Sequence, residues 1–139
     1  MILADENMDI IPHVGLGGIK LGDFLGDLKI TKNEIKVVNS QKMAVLNDGA
    51  IFILFSKDSK VIQLSARDGY KGKLLGIYSV GESILNFVNS NDWFFSESDD
   101  GFINDNVPGV VVHPNLEDAT PEEIVGKKNL LTVAEITVS

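Results

Sequence analysis

Met43-Ala44-Val45-Leu46-Asn47-Asp48-Gly49-Ala50-Ile51-Phe52-Ile53-Leu54-Phe55 sets two apolar runs on either side of an Asn-Asp-Gly turn. Asn, Asp and Gly tolerate the positive φ that a tight reversal demands, so the stretch reads as a β-hairpin. Ile35-Lys36-Val37-Val38 precedes it after the break Asn39-Ser40. Val61-Ile62-Gln63-Leu64 follows it after Lys57-Asp58-Ser59. Together they predict an antiparallel meander of about four strands over 34–65. The run 50–55 is apolar at every position, which predicts a central strand covered on both faces.

Outward from the meander, Gly22 to Lys29 predicts a short helix with Asp23 at its positive end, although Gly26 inside it costs about 1 kcal/mol relative to Ala. Glu82 to Asn89 predicts a second helix, with Ile84, Leu85, Phe87 and Val88 on one apolar face and Ser83 near its N-cap. Thr120-Pro121-Glu122-Glu123 has the form of a helix start, with Pro at the first helical position and a capping box, before Gly126. Val110-Val111-Val112 and Leu130 to Val138 predict strands. The expectation is one α+β domain over 1–139. It would hold a mainly antiparallel sheet of about six to eight strands with two or three short helices packed against it.

Composition bounds the function. Leu74 to Gly126 holds ten Asp or Glu and no Lys or Arg, whereas the first 73 residues hold nine acids and ten bases. The net charge of −8 therefore comes from the second half. Such a field repels nucleic acid and anionic membranes and attracts basic proteins or cations. The absence of cysteine excludes disulfides, thiolate nucleophiles and Cys-ligated zinc. The start, Met1-Ile2-Leu3-Ala4-Asp5-Glu6-Asn7, lacks the basic and apolar regions of a signal peptide. The longest apolar run, Ala50 to Phe55, is far too short to span a bilayer. These features predict a cytoplasmic protein.

Candidate chemistry is sparse. His13 and His113 each adjoin a proline and could pair with carboxylates as metal ligands, but neither lies three or four residues from another ligand. Gly15-Leu16-Gly17-Gly18 is followed by the extended Ile19-Lys20-Leu21 rather than a helix, and lacks the Lys-Ser/Thr of a phosphate loop. Asp99-Asp100-Gly101 with Glu97 and Asp105 resembles part of a calcium loop. Its twelfth position is Val110, however, where an EF-hand requires Glu. No Gly-x-Ser-x-Gly elbow occurs. The chain is therefore not expected to be an enzyme, nor to carry a metal or cofactor.

The sharper signal is aromatic. Trp93-Phe94-Phe95 is framed by Asp92, Glu97, Asp99 and Asp100. In a strand Phe94 faces away from its two neighbours, so one side enters the core and the other meets solvent. An aromatic anchor in an acidic rim suits a basic protein partner. The candidate partner-binding residues are Asp92, Trp93, Glu97, Asp99, Asp100 and Asp105.

The two halves also echo one another. Gly17-Gly18-Ile19-Lys20-Leu21-Gly22-Asp23 opens one, and Gly76-Ile77-Tyr78-Ser79-Val80-Gly81-Glu82 opens the other, suggesting helix-plus-hairpin units over 15–68 and 74–139. A small, acidic, cysteine-free α+β chain with these elements resembles the immunity proteins that neutralise secreted bacterial toxins, including those of contact-dependent growth inhibition. It is also similar to the tandem helix-and-hairpin folds of some inhibitor and outer-membrane assembly proteins, which are exported. The immunity resemblance implies a cytoplasmic protein that occludes one cognate toxin, often a nuclease with a basic face. It supplies no shared binding motif, so the residues above rest on charge and aromatic placement. Two alternatives stand beside it. One is a small metal-dependent hydrolase using His13 or His113 with carboxylates. The other is a structural subunit of a larger assembly.

Overall fold

A computed structural model describes residues 1–115 and 131–139 of the chain. The ten strands, numbered in chain order, are β1 (Gly15–Leu16), β2 (Ile19–Lys20), β3 (Ile35–Val38), β4 (Gln41–Leu46), β5 (Ile51–Phe55), β6 (Val61–Ala66), β7 (Phe94–Ser96), β8 (Gly101–Ile103), β9 (Val110–Pro114) and β10 (Val133–Val138). β1 and β2 form a small hairpin. The other eight form one antiparallel sheet in the order β3-β4-β5-β6-β10-β9-β8-β7. The turn between β4 and β5 holds Asn47, Asp48 and Gly49 at φ 53°, 55° and 94°, as an Asn-Asp-Gly reversal allows.

The α+β expectation is overturned. Among the described residues 42% are strand and only 10% helical. Gly22–Lys29 contains just a 3-10 turn, Leu25–Asp27, and the helix expected over Glu82–Asn89 shrinks to one turn, α1 (Leu85–Val88). The cause is competition for backbone groups. Gly22 N–H donates to Val61 C=O (2.8 Å) and Leu25 N–H to Ser59 C=O (2.8 Å), while Gly81 N–H donates to Val133 C=O (2.7 Å) and Ile84 N–H to Leu131 C=O (3.0 Å). Residues that would open each helix are instead laid across the start of a strand. The helix expected at Thr120–Glu123 lies outside the described residues.

Those bonds also explain the sequence echo. Gly22 and Gly81 adopt φ 90° and 92°, which glycine reaches without a Cβ penalty. The acid that follows each one closes its turn on the amide three residues back. Asp23 Oδ2 accepts from Lys20 N–H at 2.8 Å, and the Glu82 carboxylate accepts from the amide of Ser79. Val61 N–H donates to Asp23 C=O and Val133 N–H to Glu82 C=O, both at 2.8 Å. β5 and β9 share one alternation of burial, and β6 and β10 share another. The β6·β10 ladder pairs Ala66 with Ile136, Ser65 with Thr137 and Leu64 with Val138. A local two-fold relation centred on Ser65 and Thr137 thus exchanges β3–β6 with β7–β10.

One face of the sheet packs on the loops 1–34 and 70–93. Ile51, Ile53, Phe55, Leu64, Val112 and Ile136 are completely buried there, each contributing about 1.5–3 kcal/mol of burial. The first half of this core is mainly aliphatic. The second is aromatic, with Phe87 at 4.6 Å from Tyr78, 5.2 Å from Trp93 and 6.1 Å from Phe102 between ring centroids. Tyr70 ties in the N-terminal segment, donating to Met8 C=O (2.6 Å) and accepting from Gly17 N–H (2.7 Å). Burial pushes its phenol up to about 12, and the nearby Asp5, Asp9 and Glu6 add to the rise. No described helix is long and apolar enough to cross a membrane.

Candidate functional site on the open sheet face

Strand alternation places the other set of side chains on the opposite face, which no described element covers. The register aligns Lys36, Met43, Leu54 and Gln63 in one row across β3–β6. The next row, Val45, Phe52, Ser65, Thr137 and Val111, runs from β4 to β9. At the β3–β4 end the face is aliphatic, with Val38 52% and Val45 36% exposed.

At its centre lies a connected polar group. Ser65 and Thr137 are buried, and their hydroxyls are 3.1 Å apart. Thr137 donates to Glu135 Oε1 at 3.0 Å, and His113 Nε2 lies 3.1 Å from the Thr137 hydroxyl. Arg67 Nε donates to Glu135 Oε2 at 2.7 Å, and its guanidinium stacks 4.3 Å from the centroid of the Phe52 ring. A carbonyl only accepts, so His113 Nδ1 donates to Asp100 C=O at 3.1 Å. His113 thereby fastens the turn between β7 and β8 to this face.

That turn carries Glu97, Asp99 and Asp100, all exposed. Ser96 Oγ donates to Asp99 Oδ2 at 2.8 Å and orients the carboxylate. Asp99 and Asp105 line one open cleft of about 330 Å³, together with Ile103, Asn104, Val111 and Ser139. Of the six predicted residues, Glu97, Asp99 and Asp100 therefore share a turn, and Asp105 shares a cleft with Asp99. Asp92 is exposed just before β7.

Trp93 departs from the prediction. It is only 5% exposed and packs edge-on against Tyr78 (5.7 Å) and Phe87 (5.2 Å). The alternation holds, but Trp93 takes the core side. The solvent side falls to Phe94, 48% exposed, which replaces it as the available aromatic.

The two histidines are not brought together. His13 Nδ1 donates to Ser139 C=O at 3.1 Å beside Gly109. His113 lies four residues further along, about 13 Å at 3.3 Å per residue. Among the described residues no three His, Asp or Glu side chains are placed to hold a metal ion.

The central polar group escaped the sequence reading because its members come from three strands distant in the chain. One signal existed. Gln63, Ser65 and Arg67 recur at every second position, as do Glu135 and Thr137, marking one polar side on strands whose other side is apolar. The chain matches no family model, no curated protein and no solved structure.

Proposed function

We propose that this chain is a stoichiometric inhibitor of a basic protein, an immunity protein that works in the cytoplasm by occluding a cognate toxin. One observation carries the reading. Residues 82–115 contain six acids and no lysine or arginine, and four of them, Glu97, Asp99, Asp100 and Asp105, crowd the turns beside the open sheet face. Phe94 and Ile103 supply apolar surface at the same edge. A basic surface approaching this edge is steered by the field, then held by close pairs with the carboxylates. If the toxin is a nuclease, the same acids oppose the cationic path that its nucleic acid would follow. Inhibition by occlusion requires complementary surface and no chemistry.

The test begins with a pull-down, using this chain as bait in cells that also express the adjacent upstream gene. A basic partner at one-to-one stoichiometry is expected. Combining Glu97→Gln, Asp99→Asn and Asp100→Asn should slow association with that partner about tenfold or more near physiological salt, and should flatten its salt dependence. An unchanged rate and affinity would refute this assignment of the surface.

A further inference from the structure

The eight-stranded sheet consists of two four-stranded halves that meet at the β6·β10 seam, and the chain passes from one half to the other once. Up to residue 73 the connection is bonded to the first half. Lys71 N–H and Gly72 N–H donate to Glu6 C=O (2.8 and 3.0 Å), and Ile10 N–H donates to Lys73 C=O (2.9 Å). From Gly81 it is bonded to the second half, through Val133 and Leu131. Between them lies a tight turn. Leu74 N–H donates to Tyr78 C=O (2.8 Å) and Tyr78 N–H to Leu74 C=O (3.0 Å), while Ile77 N–H also donates to Leu74 C=O (3.1 Å). Leu75 in that turn has φ 54°, a left-handed conformation that its Cβ disfavours. Leu75 and Ile77 are 49% and 62% exposed. Strain and exposed apolar surface thus coincide at the crossing between the halves.

We propose that this turn is a hinge through which two copies of the chain exchange halves, β10 of each pairing with β6 of the other. Opened into an extended strand, residues 74–78 of one copy lie antiparallel to 74–78 of the second about a two-fold axis at Gly76. Leu74 keeps both its backbone bonds to Tyr78, now that of the second copy. The two Gly76 residues form the next hydrogen-bonded pair of this ladder, replacing the bond that each Ile77 gives up. Leu75 leaves the left-handed region and stands opposite Ile77 of the second copy. That position is a non-hydrogen-bonded pair, in which cross-strand side chains approach most closely.

Each unit of such a dimer re-forms the contacts across its seam, including Ser65 with Thr137, Arg67 with Glu135 and His13 with Ser139. Monomer and dimer therefore differ at the hinge, and hinge preference and protein concentration decide between them. The arrangement is isologous and closes at two copies. Each unit retains its own β7–β8 turn, so the dimer presents the acidic edge twice and the exchange neither requires nor blocks a partner.

Refolding the urea-unfolded full chain across the micromolar range, followed by size-exclusion chromatography, tests this without any partner. The wild type is expected to give a dimer fraction that grows with concentration. Leu75→Gly, which accepts the left-handed turn, should lower the dimerisation constant about tenfold or more. Gly76→Val should raise it, because its side chain meets nothing within 4 Å in the closed turn but resists the φ of 72° there. The chain has no cysteine, so Ser65→Cys combined with Thr137→Cys reports which copy supplies each strand of the seam. The oxidised dimer should stay covalently linked in a denaturing gel without reductant, while the oxidised monomer runs as a single chain. If that variant does not fold, Arg67→Glu refolded together with Glu135→Arg serves instead, since exchange restores an opposite-charge pair in both units and a surface dimer in neither. A wild type that stays monomeric at every concentration would overturn the proposal. A dimer whose seam strands come from one copy, or hinge variants without effect, would overturn it equally. None of these results bears on the inhibitor reading, whose own test requires the partner.

Discussion

Glu82 closes the turn before α1, and its position favours the neutral acid. One carboxylate oxygen, Oε1, is buried and has no hydrogen-bond partner among the described residues. Burial raises its carboxyl above the ordinary value of 4.5. The Ser79 amide, the Asn86 side chain and the charge of Lys73 act in the opposite direction without cancelling the rise. The folded state therefore holds this proton to higher pH than the unfolded chain does, and stability is lost as pH rises from about 4.5 through the raised value. Glu82→Gln keeps an acceptor for Ser79 and removes the charge. It is expected to be more stable than wild type at neutral pH, with the gain vanishing in acid, as urea unfolding at the two pH values would measure. An equal or lower stability at neutral pH would show that Oε1 is hydrated.

Among the elements, the β7–β8 hairpin depends on a single small residue. A Cβ at Gly101 would stand 2.6 Å from Val111 Cγ1 and 2.7 Å from Val112 C=O, and the adjacent Phe102 makes the register pair of β8 with β9. Gly101→Ala should cost about 1–3 kcal/mol and loosen residues 94–103. Amide exchange there should quicken while that of β4 and β5 is unchanged; uniform protection would contradict this. The elements also divide by how legible they were. β3–β6 stand where alternation and turn residues place them, because both signals are local, but β5, expected to be covered on both faces, leaves Phe52 and Leu54 only partly buried on the open one. The helices were misread because their opening residues bond to Ser59, Val61, Leu131 and Val133, partners that no local pattern announces. The acids of the candidate site were legible since they are neighbours in sequence. Alternation separated Trp93 from Phe94 correctly but carries no information on which side is core. The face that joins Lys36 to Phe52 and Ser65 to Thr137 exists only once strand order is known.

For the whole molecule, the sheet order sets the order of assembly. β3 to β6 are joined by short turns, so their pairing closes small loops. The seam between β6 and β10 joins residues 72 apart, and its loop-closure cost must be met before its contacts contribute. The seam should therefore form last. Thr137→Val, which deletes its central hydrogen bonds, is expected to hasten unfolding and leave the refolding rate nearly unchanged in stopped-flow experiments. A slowed refolding limb would place the seam in the folding nucleus. Until β10 arrives, β6 presents an unpaired edge, the kind of template on which chains aggregate. That edge belongs to the half of the chain whose nine acids and ten bases almost cancel. The acidic half, not yet docked at that stage, would then keep partly folded chains apart in solution by mutual repulsion.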